Sequence, residues 1–170
     1  MLQSAQSVVR NTVSIGDRLA GSEAFKLLFR EGMLLVEDSA AYLDGPGRRE
    51  SRLLPRLDAL AYASESMRLT TRLMQLASWL LLQRAVNEGD LTFADAQGEK
   101  HKVTLARQDL ATSPEVFARL PARLQELALQ SQRLQARVLH LDQLIYGLPV
   151  DEARVPAVLG QLASLRAAFG

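Results

Sequence analysis

The sequence predicts an all-α fold, an antiparallel three-helix bundle, on three observations. Strand-forming residues are scarce: aromatics make up 5% of the chain and isoleucine occurs twice, while leucine dominates. Apolar residues recur at spacings of three and four through long segments, the period of a helix with a buried face. Gly and Pro gather mainly between those segments, where they act as breaks.

The elements follow in order. Residues 1–21 are small and polar and are expected to form a flexible N-terminal segment without the contiguous apolar core of a secretory signal. Residues 22–147 form the predicted bundle domain. Ser22 is a helix N-cap with Glu23 in the first turn, where a carboxylate suits the positive end of the helix dipole. The first helix is expected to reach about Leu43, with Phe25, Leu28, Phe29, Leu35, Val36, Tyr42 and Leu43 on one face. Gly32 lies on that face, where a helix-interior glycine costs up to ~1 kcal/mol relative to alanine; close approach of a neighbouring helix would compensate. Asp44-Gly45-Pro46-Gly47 is the stop, with a glycine expected in the left-handed cap.

The second helix is expected from between Arg48 and Leu54, with Pro55 in or near its first turn, to about Asn87 and Gly89. Thr70 and Thr71 are unfavourable mid-helix unless their hydroxyls bond back to the previous turn. A short helix is expected near Thr92–Gln97, and Lys102–Leu105 is a strand candidate without a partner. Ser113-Pro114-Glu115 opens the third helix, kinked by Pro121. It carries a heptad-like seam of Phe117, Leu120, Leu124, Leu127, Ser131, Leu134, Val138, Leu141 and Ile145, ended by Gly147 and Pro149. Residues 148–170 are expected to be a tail holding a short, loosely docked C-terminal helix.

The second helix carries more apolar surface than one bundle needs. Leu69, Leu73, Leu76 and Leu80 make one stripe; Leu60, Met67, Met74, Leu81 and Ala85 make another. Together they span roughly 200° of the cylinder, where a core-facing stripe is somewhat wider than ~100°. The surplus must be covered by the last helix or by a second copy, and a second copy, a homodimer, is the expectation, since a two-fold interface is the commonest oligomer arrangement. The two stripes, Leu69, Leu73, Leu76 and Leu80 with Met67, Met74 and Leu81, are therefore the candidates for core or dimer packing. The remaining arc holds Arg68, Arg72, Gln75 and Trp79 at spacings of four, three and four. Arg and Trp are enriched at binding hot spots, and this strip is the candidate partner-binding surface; the alternative is that Trp79 is covered by the loop after the helix and the two arginines pair with Glu65 and nearby acids.

The 170 residues carry a formal net charge of +1 with acids and bases interspersed. No basic block exists to neutralise a run of phosphates, which argues against a nucleic-acid binder. No apolar run reaches the ~18–20 residues of a membrane span. The sequence has no cysteine, which removes thiolate catalysis and thiolate metal sites and fits a reducing, cytoplasmic setting. His101 and His140 have no metal-ligand spacing, and no serine sits in a nucleophile elbow. No catalytic residue, metal site or cofactor is predicted.

The strings FKLLFREGMLLVEDSAAYLDGPGR (25–48), YASESMRLTTRLMQLASWLLLQRAVNEG (62–89) and HLDQLIYG (140–147) closely resemble the RcdA family, regulators of CtrA degradation. The resemblance covers about residues 23–147. It implies a helical bundle that forms a homodimer, has no catalytic activity or cofactor, and acts as an adaptor in regulated proteolysis during the cell cycle. The implied partners are the ClpXP protease and its substrates or co-adaptors, with the response regulator CtrA among the substrates. The alternative is a structural dimerisation or sensory module that binds a partner without delivering it.

Overall fold

A computed structural model describes residues 21–100 and 112–147. The described elements are α1 (Glu23–Asp44), α2 (Pro46–Arg52), α3 (Arg56–Asn87), α4 (Phe93–Lys100), α5 (Pro114–Phe117) and α6 (Ala122–Tyr146). No strand occurs among the described residues. The N-terminal segment, Lys102–Leu105, His101 and the C-terminal tail with its expected helix lie outside them.

α1 begins as its sequence demands. The Ser22 side chain accepts a hydrogen bond from the Phe25 amide at 3.2 Å. Its buried face runs Phe25, Leu28, Gly32, Leu35, Ser39, Tyr42. A Cβ on Gly32 would sit 2.5 Å from Leu80 Cδ1 of α3, so glycine lets two helices close on each other there.

The turn after α1 departs from expectation. Gly45 has φ −112° and does not adopt the left-handed cap; its amide bonds to the Ala41 and Tyr42 carbonyls. Pro46 starts a new helix at once, because a proline at the first helical position gives up no needed donor. Gly47 tucks under Tyr62, whose hydroxyl a Cβ would meet at 2.5 Å. α3 then starts after Pro55 and ends at Asn87, and Gly89 just beyond it takes φ +80°. Thr70 Oγ1 donates back to the Ser66 carbonyl at 2.9 Å and Ser78 Oγ to Met74 at 2.8 Å.

The third expected helix is two pieces. Pro114–Phe117 is one turn, capped by Ser113, and Pro121 stops its continuation. Gln125 Nε2 caps the break by donating to the Leu120 carbonyl at 2.7 Å. Beyond it the seam is as the spacing requires: Leu124, Leu127, Ser131, Leu134 and Val138 are fully enclosed.

α1, α3 and α6 pack against one another around a single core, but the bundle is not antiparallel throughout. Along α3, Asp58 pairs with Arg119, Arg72 with Ser131, and Trp79 with Asp142. Both numbers rise together, so α6 runs parallel to α3. Across to α1, Glu31 pairs with Arg137 and Asp38 with Arg123, which is antiparallel. The cause is the connection from Glu88 to Pro121, long enough to travel back along a helix of about 48 Å (32 residues at ~1.5 Å each) and restart α6 beside the beginning of α3.

Candidate functional site

The geometry turns α3 around relative to the sequence-based expectation. Of the four strip residues, Arg72 is 6% and Trp79 1% exposed, while Arg68 and Gln75 are only half-buried. The strip is not an outward surface. α6 lies along it, and its polar atoms are used inside the protein. Trp79 Nε1 donates to Asp142 Oδ1 at 2.8 Å. The other oxygen of Asp142 takes Lys100 Nζ at 2.9 Å. Lys100 sits 4.4 Å over the Tyr146 ring, which stacks on Phe93 and donates its hydroxyl to Gln83 Oε1 at 2.8 Å. These contacts pin α4 and the end of α6 to α3. Burial and then the Asp142 charge push the Tyr146 hydroxyl up to about 12.

Further along the same flank, Glu65 is 3% exposed. It accepts from Arg68 Nη1 at 3.0 Å and Thr112 Oγ1 at 2.9 Å. Arg72 Nη1 donates to Ser131 Oγ at 2.7 Å, which explains the polar break in the leucine seam. Burial pulls the Arg72 guanidinium below its ordinary value, Glu65 opposes that, and Arg68 adds to it.

The two leucine stripes separate cleanly. Leu69, Leu73, Leu76 and Leu80 are all core. Met67, Met74 and Leu81 are not: they stand 73%, 66% and 52% exposed, in line with Leu60 at 60%. Leu60, Met67, Met74 and Leu81 recur every seven residues, with exposed Ser64, Thr71 and Ser78 between them. The four charged residues between Leu57 and Gln83, namely Asp58, Glu65, Arg68 and Arg72, are buried or half-buried on the other side. Seven turns of solvent-facing helix therefore carry no charge. Leu53 and Leu57 extend the patch at one end, and a small apolar groove of Val36, Ala40, Leu43 and Ala77 opens beside Met74. This seam is the candidate interaction surface. Sequence reasoning had found its residues but set the partner site on the opposite flank. The signal it overlooked was that every charge on α3 between those positions falls on one side.

His140 is exposed on α6, and nearby Asp142 is occupied by Trp79 and Lys100. Among the described residues no group of His, Cys, Asp and Glu is arranged to hold a metal ion, and no helix is long and apolar enough to cross a membrane.

Comparison with known proteins joins this geometry to a family. Residues 16–169 match the model described as "Protein of unknown function (DUF1465)". The crystal structure of RcdA from Caulobacter crescentus CB15 is similar to this chain with a TM-score of 0.63 and 49% sequence identity, over 76% of this chain and 96% of that one. The chain belongs to the RcdA family. No curated protein matches it. The all-helical bundle built on α1, α3 and α6 is thus the framework on which a member of this family presents the uncharged seam.

Proposed function

We propose that this chain is a non-catalytic adaptor in regulated proteolysis. In this reading it helps deliver substrates such as the response regulator CtrA to the ClpXP protease in the cytoplasm. The observation that carries the reading is the 49% identity to RcdA over nearly the whole of that chain. Tethering cargo to a protease raises its effective concentration and needs no chemistry from the adaptor.

The adaptor acts as a homodimer joined through the α3 seam. An apolar, uncharged stripe this long on a monomer surface is an interaction site. The alternation of large Leu and Met with small Ser and Thr suits helix against helix, the large side chains of one copy lying over the small ones of the other. A second copy presents the same surface, so a two-fold axis satisfies both at once.

The test is reconstituted degradation. Adding the chain to ClpXP and CtrA is expected to accelerate loss of substrate, and pull-downs are expected to recover protease and substrate together. Recovery of one partner alone, without acceleration, would favour the simpler dimerisation module.

A further inference from the structure

Between α3, α5 and the first turns of α6 lies a pocket of about 280 Å³. Glu65, Arg68 and Arg72 form its polar side; Pro114, Phe117 and Leu129 form an apolar wall. Its charges do not balance. The Glu65 carboxylate is engaged by Arg68 and Thr112. Arg72, nine-tenths buried, donates to a neutral hydroxyl, and among the described residues no carboxylate forms an ion pair with it. Two guanidiniums facing one carboxylate leave a positive charge in a half-open pocket, with Arg72 itself buried at its base, and a buried charge without an ionic partner is costly. A guanidinium presents a planar fork of donors that matches a carboxylate. The volume lies just under the ~300–1,000 Å³ of sites for drug-sized ligands, which suits side chains better than a whole helix.

We propose that this pocket receives an aspartate or glutamate side chain from a segment of a partner protein, its carboxylate on Arg72 and Arg68 and a neighbouring apolar side chain on Phe117 and Leu129. The inference rests on the adaptor reading for the partner's role as cargo, but binding is read without the protease. Selective binding therefore supports the pocket whether or not the chain accelerates degradation.

The experiment titrates the ¹⁵N-labelled full chain with a capped Gly-Ser peptide carrying one Asp-Leu pair, against the same peptide with Asn-Leu. The arginine side-chain signals of Arg72 and Arg68 are expected to shift saturably. The Asn peptide is expected to bind about tenfold more weakly, as loss of a charge-assisted hydrogen bond requires. Arg72→Gln should weaken the Asp peptide by about tenfold or more. Gln132→Glu, an exposed change at the mouth of the pocket that leaves the core untouched, should weaken it about threefold through like-charge repulsion. Equal binding of the two peptides, or indifference to Gln132→Glu, overturns the proposal. So does tightening on Asp109→Asn, since Asp109 stands three residues before Thr112 in the sequence and its own carboxylate would then be the occupant. Binding confined to a peptide with a free C-terminal carboxylate also overturns it.

Discussion

Ser131 interrupts the leucine seam of α6 because its hydroxyl gives the buried Arg72 guanidinium an acceptor while its own proton goes to a carbonyl of the preceding turn. It donates to the Ala128 carbonyl at 2.7 Å and accepts from Arg72 at 2.7 Å. Ser131→Ala leaves a buried guanidinium without its acceptor and is expected to cost about 1–3 kcal/mol. Arg72→Met removes the charge instead and should cost less; denaturant melts of both variants compare them, and a Ser131→Ala midpoint unchanged from the parent would show that the Arg72–Ser131 bond is dispensable. Leu124, fully enclosed, sets the reference for cavity formation: Leu124→Ala should cost about 2–5 kcal/mol. Tyr146 supplies a pH dependence. Its hydroxyl is raised from 10.0 to about 12, so folding favours the protonated form. That contribution is complete below pH 10 and is lost as pH rises from 10 to 12. Tyr42, raised chiefly by burial and then by its hydrogen bond to Glu50, acts in the same direction. Thermal melts across this window should show steeper alkaline destabilisation in the parent chain than in Tyr146→Phe.

α3 shows why a helix cannot be oriented from its polarity alone. Its polar strip of Arg68, Arg72, Gln75 and Trp79 looks like a solvated flank, and its Leu60, Met67, Met74, Leu81 stripe fits either core or a dimer face. The structure turns Arg72 and Trp79 inward and leaves the stripe outside the core of the single chain. Charged side chains can turn inward when each finds a partner, as Glu65 does with Arg68 and Thr112 and Asp58 with Arg119. The methionine stripe stays outside because the core side of α3 is already filled by Leu69, Leu73, Leu76 and Leu80. Met67→Glu combined with Met74→Glu should therefore leave the fold intact, with stability shifts near ±0.5 kcal/mol per exposed change. It should also separate the proposed dimer into monomers by like-charge repulsion across the seam. Sedimentation of parent and variant decides it: a parent chain that runs as a monomer retires the seam as a self-association surface. The reading of α6 succeeded where that of α3 did not. Its apolar positions form one narrow stripe, so only one face could be buried, whereas α3 offered two.

The course of the chain follows from the segment between α3 and α6. The sequence marks that segment as irregular but carries no signal for where it goes. Asp58–Arg119 and Glu65–Thr112 hold its far end against the start of α3, and α6 then runs alongside α3 in the same direction. Because the sequence has no cysteine, dye pairs can test this directly. Arg56→Cys with Ala122→Cys should transfer energy far more efficiently than Arg56→Cys with Gln143→Cys, since the second site lies 21 residues, about 30 Å, further along α6. An antiparallel bundle would give the opposite order. The all-helical class, the helix breaks at Gly45-Pro46 and Gly89, the close approach at Gly32 and the buried seam of α6 were determined by local sequence, because propensity, caps and period act within a few turns. The direction of α6, the inward turn of Arg72 and Trp79 and the bare methionine seam were decided only by tertiary structure. They depend on which helix covers which face, and that is settled by contacts between residues some fifty or sixty positions apart, such as Glu65 with Thr112, Asp58 with Arg119 and Arg72 with Ser131.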